Sequence, residues 1–139
     1  MLGKEGNGVI LTGAGGDFVG GGAGNDFVRG GGGADTIYGG AGNNVIFGEA
    51  GNELIILGSG NDSLQGVDGN DTIKGNLGAD TINGQTGVDV VDYTGSTAAV
   101  AIAMTATAGT GGYAAGDVLV GIEHLIGSSF ADTLTGNGL

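Results

Sequence analysis

The sequence has no cysteine, no proline and no tryptophan, and only three basic residues, Lys4, Arg29 and Lys74, in 139. Without cysteine, neither a disulfide framework nor a thiolate metal site can form, and the redox compartment leaves no trace. Fifteen acids against three bases give a formal charge of −12, which disfavours nucleic acid and anionic membrane surfaces as partners. No apolar run approaches membrane-spanning length. The opening residues, Met1-Leu2-Gly3-Lys4-Glu5-Gly6, lack the charged and apolar regions of a cleavable signal peptide, although some export routes read a C-terminus instead. With a single histidine, His124, and no serine or cysteine placed to use it, no catalytic constellation is visible, and the chain reads as a non-enzyme.

What is abundant is glycine, with 36 residues, while only four Phe and three Tyr supply aromatic surface. Glycine loses the most entropy on ordering, so burial alone is a poor source of stability for such a chain. Disordered acidic tails share the charge balance but lack the many Val, Ile and Leu found here. An acidic, base-poor, moderately apolar chain suits carboxylates neutralised by a bound cation.

Written in nines from Gly3, ten segments fall into register and end at Asp92. The fourth position is always glycine: Gly6, Gly15, Gly24, Gly33, Gly42, Gly51, Gly60, Gly69, Gly78 and Gly87. The eighth is always aliphatic, from Ile10 and Val19 to Ile82 and Val91. The sixth is usually acidic: Gly8, Asp17, Asp26, Asp35, Asn44, Glu53, Asp62, Asp71, Asp80 and Asp89. Each segment reads as a glycine-rich turn followed by a three-residue strand whose middle residue points inward. Two segments make one turn of a flattened coil, and stacked turns bury a ladder of aliphatics between two parallel sheets. Helix is disfavoured by the glycine density and by the lack of a 3.6-residue period.

Gly21-Gly22-Ala23-Gly24-Asn25-Asp26-Phe27-Val28-Arg29 matches the pattern G-G-x-G-x-D-x-U-x, and residues 30–38 and 66–74 are close copies. In this, residues 3–92 resemble the calcium-binding repeats of the RTX (repeats-in-toxin) family. The resemblance implies an all-β fold, a parallel two-sheet, right-handed β-roll, with several Ca²⁺ ions between its turns. It also implies a secreted or cell-surface bacterial protein exported by a type I system. By the same resemblance, loop carbonyls of Gly15, Gly33, Gly60, Gly69, Gly78 and Gly87 complete the coordination shell.

Calcium takes six to eight oxygens at about 2.3–2.6 Å, and stacked strands lie about 4.7–4.9 Å apart, so an ion fits between successive turns. Zinc, copper and magnesium suit this donor set less well. Because two segments complete a turn, an ion on one edge bridges segments n and n+2. One ladder then runs Gly8, Asp26, Asn44, Asp62, Asp80, and the other Asp17, Asp35, Glu53, Asp71, Asp89. Bridges 17/35, 62/80 and 71/89 have aspartate on both sides and are expected to bind best. Neutral Asn44 and longer Glu53 weaken the four middle bridges, and Gly8 offers no side-chain oxygen. Glu49, Leu57, Val67, Asn76 and Gln85 stand at first or second positions otherwise held by glycine, where strain is expected. Without calcium the facing carboxylates repel, and the chain is expected to be largely disordered.

The outward positions change character along the chain. Val9, Leu11, Phe18, Phe27, Tyr38, Val45, Phe47, Leu54 and Ile56 make the N-terminal half apolar, and beyond Ile56 the faces turn polar. Such a surface points to cover by another copy or by a domain outside this chain, against the alternative of scattered surface apolars.

After Asp92 the period stops. Residues 93–139 read as a β-rich cap or spacer: 99–104 alternate as a strand, 109–112 form a turn, and 116–119 and 131–136 look like degenerate or restarting repeats. The last of these reads as the opening of a further repeat, the pattern of a fragment or of a roll completed by a neighbour. Two functions follow as expectations. One is an extracellular module that folds on calcium and supports secretion or folding of a parent protein. The other is a calcium-set, self-assembling surface protein.

Overall fold

The computed structural model describes residues 1–138 and is built almost wholly of short parallel strands. These are β1 (Val9–Leu11), β2 (Phe18–Gly20), β3 (Phe27–Gly32), β4 (Thr36–Ala41), β5 (Val45–Ala50), β6 (Leu54–Ser59) and β7 (Ser63–Asp68). They continue as β8 (Thr72–Lys74), β9 (Thr81–Thr86), β10 (Val90–Asp92), β11 (Ala101–Ala103), β12 (Val118–Val120), β13 (His124–Ile126) and β14 (Thr133–Thr135). One sheet runs β1-β3-β5-β7-β9-β12, the other β2-β4-β6-β8-β10-β13, and β11 pairs with β14 separately. Among the described residues the helical content is one 3₁₀ turn, Gly112–Ala114.

Alternate segments therefore feed alternate sheets, as a flattened coil of two nine-residue segments per turn requires. Pairing is parallel and in register: Ile10 faces Val28, Val28 faces Ile46, Ile46 faces Leu64 and Leu64 faces Ile82. On the second sheet Val19, Ile37, Ile55, Ile73 and Val91 stack in the same way. These eighth-position residues are buried, most of them completely, and form the core. Each contributes about 1.5–3 kcal/mol by leaving water. The core is one side chain wide, so it needs many turns to be worth much.

Six strands are longer than the three residues read from the sequence. The second and third turn positions also pair between coils, as Gly31 does with Glu49 and Gly32 with Ala50. In all six strands the second position takes a left-handed backbone. Glu49 (φ 85°), Val67 (φ 92°) and Gln85 (φ 71°) adopt it without being glycine. The strain expected at Leu57 is absent, because the first position needs no positive φ; Leu57 instead joins the core, completely buried. Asn76 also avoids positive φ.

The segment after Asp92 leaves the stack and then returns to it. Tyr93 is fully buried, and Val100, Ile102 and Ala114 add to the core. Strand β12 then pairs with β9, matching Leu119 to Ile82, and β13 pairs with β10, matching Leu125 to Val91. Val118 lies opposite Thr81, 37 residues back, where the regular coil repeats every 18.

Candidate metal centre

The sixth-position residues stand at the two edges of the coil, where each strand begins. Seven of them accept, through one side-chain oxygen, the backbone N–H of the sixth residue one turn earlier. On the first edge Asp26 Oδ1 accepts from Gly8 (2.7 Å), Asn44 Oδ1 from Asp26 (2.9 Å), Asp62 Oδ1 from Asn44 (2.8 Å) and Asp80 Oδ1 from Asp62 (2.9 Å). On the second, Asp35 Oδ1 accepts from Asp17 (2.8 Å), Asp71 Oδ1 from Glu53 (3.0 Å) and Asp89 Oδ1 from Asp71 (2.9 Å). The pairs 17/35, 62/80 and 71/89 are thus adjacent rungs. Glu53 differs: one methylene longer, it leaves both carboxylate oxygens without a hydrogen bond.

That bonding satisfies only half of each carboxylate. Asp26, Asp35, Asp62, Asp71, Asp80 and Asp89 each bury an Oδ2 that has no hydrogen-bond partner. With the two oxygens of Glu53, eight buried oxygens are orphaned. Native structures keep such groups few, because each costs the full desolvation of a polar or charged atom. Here they are regular, all acidic and confined to the two edges, which is the pattern of a cation-binding donor set.

The electrostatics agree. Burial pushes the Asp80 carboxyl up to about 7, helped by the charges of Asp117 and Asp62 and opposed by the hydrogen bond from the Asp62 amide. Burial takes Asp62 to about 6. Glu53 rises to about 8 through burial first, then its neighbours Asp71, Asp35 and Asp89. Asp35 and Asp89 are also raised, chiefly by burial. Ionising these groups together is unfavourable unless positive charge lies between the rungs.

Among the described residues no three His, Cys, Asp or Glu side chains converge on one point. The carboxylates come in stacked pairs, so other oxygens must come from backbone. The fourth-position glycines offer them. All ten have φ between 97° and 153°, and a Cβ on Gly51, Gly60, Gly69, Gly78 or Gly87 would collide with the glycine carbonyl oxygen one turn earlier. Only glycine permits both the backbone and the approach. Among the described residues, a single turn hydrogen bond reaches these carbonyls, from Asn44 Nδ2 to Gly42 at 3.2 Å. Where the sixth residue is an amide, its own N–H₂ serves that carbonyl; where it is Asp, oxygen is left beside oxygen. The donor chemistry fits calcium, with Asp17, Asp26, Asp35, Asp62, Asp71, Asp80, Asp89 and Glu53 as carboxylates and Asn44 as a neutral gap.

Two features escaped the sequence reading. The fifth-position asparagines form outer ladders running the opposite way: Asn25 N–H donates to Asn7 Oδ1, Asn43 to Asn25 and Asn61 to Asn43, each at 2.8 Å. Asn at 18-residue spacing was their signal. Asp117 and Glu123 also extend the acidic ladders, accepting from the amides of Asp80 (2.9 Å) and Asp89 (2.8 Å). The aliphatic triplet Val118-Leu119-Val120 directly after Asp117 was the available clue. His124 is exposed on β13, with its amide on the Asp89 carbonyl.

A coil of glycine turns that pairs parallel strands and stacks half-satisfied aspartates along both edges is a β-roll of the cation-binding kind. The model of the RTX calcium-binding nonapeptide repeat matches the chain in four copies, over residues 2–37, 29–64, 65–95 and 117–138. The chain belongs to this RTX repeat family. The last copy coincides with the return of the chain to the stack at β12 and β13. No curated protein matches the chain at a significant level.

Proposed function

We propose that this chain is a calcium-responsive folding module, secreted from a bacterium, that is ordered outside the cell and supports secretion or folding of a parent protein. The observation that carries the reading is the row of buried, orphaned carboxylate oxygens at both edges. A bound calcium ion supplies positive charge and room for six to eight oxygens. The residues do the rest. In Asp26, Asp35, Asp62, Asp71, Asp80 and Asp89, Oδ1 fixes the side chain to the turn before, which aims Oδ2 and leaves it free. The fourth-position glycines let successive turns approach so closely that no side chain fits between one turn's backbone and the carbonyl of the turn before.

In this reading residues 3–92 are the cation-binding roll, residues 93–139 close its end, and the chain acts by binding and folding rather than by catalysis. Low calcium inside a cell leaves the carboxylates uncompensated and the chain open for export. Millimolar calcium outside closes it. No helix among the described residues is long and apolar enough to cross a membrane.

A second reading, calcium-set self-assembly at a surface, draws on the outer faces of both sheets in the N-terminal half. Val9, Leu11, Phe18, Phe27, Tyr38 and Val45 are exposed there, with Phe47, Leu54 and Ile56 half-buried beside them. Circular dichroism during a calcium titration, with light scattering on the same samples, tests both. A cooperative coil-to-β transition in a monomer supports the first, and the same transition with growth in particle size supports the second. A β spectrum that chelator leaves unchanged overturns the calcium reading.

A further inference from the structure

The two edges of the roll end differently at the C-terminal side. At the last rung of the first edge, Asp117 Oδ1 accepts the Asp80 amide at 2.9 Å, like every aspartate in the ladder. Its Oδ2 is not orphaned. It accepts the Tyr93 hydroxyl at 2.7 Å, and both side chains are completely buried. Asp117 is thus a fully buried ladder carboxylate with a protein partner on each oxygen, set in a series whose other members lack one.

The backbone of that rung departs from the pattern as well. Counting back from Asp117 as a sixth-position residue, the fourth position is Ala115 rather than glycine, at φ −68° and ψ 101°. The left-handed glycine is displaced by one position, to Gly116 (φ 96°), so no glycine carbonyl stands at the fourth position here. Room for Tyr93 comes from Gly75. At most other first positions a built Cβ would press on the free acid oxygen of its own repeat, as at Gly30, 2.7 Å from Asp35 Oδ2. At Gly75 it would strike the Tyr93 ring instead.

Resting on the calcium reading above, we propose that Tyr93 ends the cation series of the first edge, its hydroxyl serving Asp117 at the 80/117 rung as an ion would serve the free carboxylate oxygen at the 62/80 rung. Tyr93 is a positioning residue. A donated hydrogen bond settles the Asp117 carboxylate without metal, so the return of β12 onto β9 is independent of calcium. The roll then carries a closed end that holds together when the ions leave, and rungs add to it from there.

The full chain tests this in two ways. Calorimetric calcium counts are compared for wild type, Asp62→Asn and Asp117→Asn. The expected result is one site lost or strongly weakened in D62N and the wild-type count kept in D117N; a site lost in D117N overturns the proposal. Hydrogen exchange in chelator is the second. The Val118 amide, bonded to the Asp80 carbonyl, is expected to exchange more slowly than amides of Val9–Leu11. In Tyr93→Phe that protection is expected to fall by roughly 10- to 100-fold. Equal exchange at both ends, or unchanged protection in Y93F, overturns it. A wild type that takes up no calcium defeats the calcium reading itself, a result distinct from any of these.

Discussion

The amide of Asp62 donates to Oδ1 of Asp80 at 2.9 Å, yet the outer oxygens of both side chains are buried without a partner. One carboxylate thus holds two turns together with one oxygen and strains them apart with the other. Asp80→Asn keeps the first role and removes the charge behind the second. We expect weaker calcium binding, by about tenfold or more, together with more residual β structure in chelator. Titration calorimetry and circular dichroism read the two effects, which have opposite signs. A purely structural aspartate would lose stability in both conditions.

Acid should partly substitute for calcium. Burial raises Glu53 to about 8, Asp80 to about 7 and Asp62 to about 6 in the folded stack, above their ordinary values of 4.5, 3.8 and 3.8. An acid whose folded pKa is raised binds protons more tightly when folded. Stability therefore falls as pH rises from about 4 to 8 and is regained on acidification. Melting in chelator at pH 8, 6.5 and 5 should give a rising midpoint. A falling one would mean that the carboxylates are better satisfied than their geometry indicates.

Val67, β-branched, sits at φ 92° where its counterparts Gly31, Gly40 and Gly58 are glycine. Val67→Gly should stabilise the calcium-loaded roll by about 1 kcal/mol, strain relief exceeding the entropy that glycine adds to the unfolded chain. The reverse change, Gly69→Ala, drives a Cβ into the Gly51 carbonyl and should lower the melting midpoint sharply. Thermal unfolding in excess calcium checks both.

Asn43 accepts the Asn61 amide at 2.8 Å on the outside of the first edge and contributes no charge. Asn43→Ala should cost about 1 kcal/mol while leaving the number of calcium ions unchanged. A lost ion would place the fifth-position ladder in the coordination shell.

The period was readable because the sequence repeats at the length of the structural unit. Glycine at position four and an aliphatic at position eight fix the turn, the core and the two sheets, since side-chain direction alternates along a strand. The stacking of the acidic side chains followed from the same register. What the register could not supply lies where it breaks. Asp117 meets Asp80 across 37 residues and Glu123 meets Asp89 across 34, so neither is found by counting eighteens. Tyr93 looks like a spacer residue in sequence and becomes a core residue because Gly75 vacates the space it fills. The longer strands were missed for a local reason, as glycine turns that discourage isolated strands pair once they are stacked.

The strict alternation of segments between sheets bears on how such a chain changes length. Both core columns are aliphatic, so the interior does not distinguish odd from even segments. Losing or gaining one nonapeptide would still leave aliphatic upon aliphatic along both columns. It would, however, carry everything downstream to the opposite face and separate surface neighbours such as Phe27 and Phe47, whose rings lie 5.7 Å apart. A change of eighteen residues would keep those neighbours' companions on their own side. Slippage by single repeats thus reshuffles the exterior at little cost to the interior, giving this architecture a ready route to new surfaces on an old core.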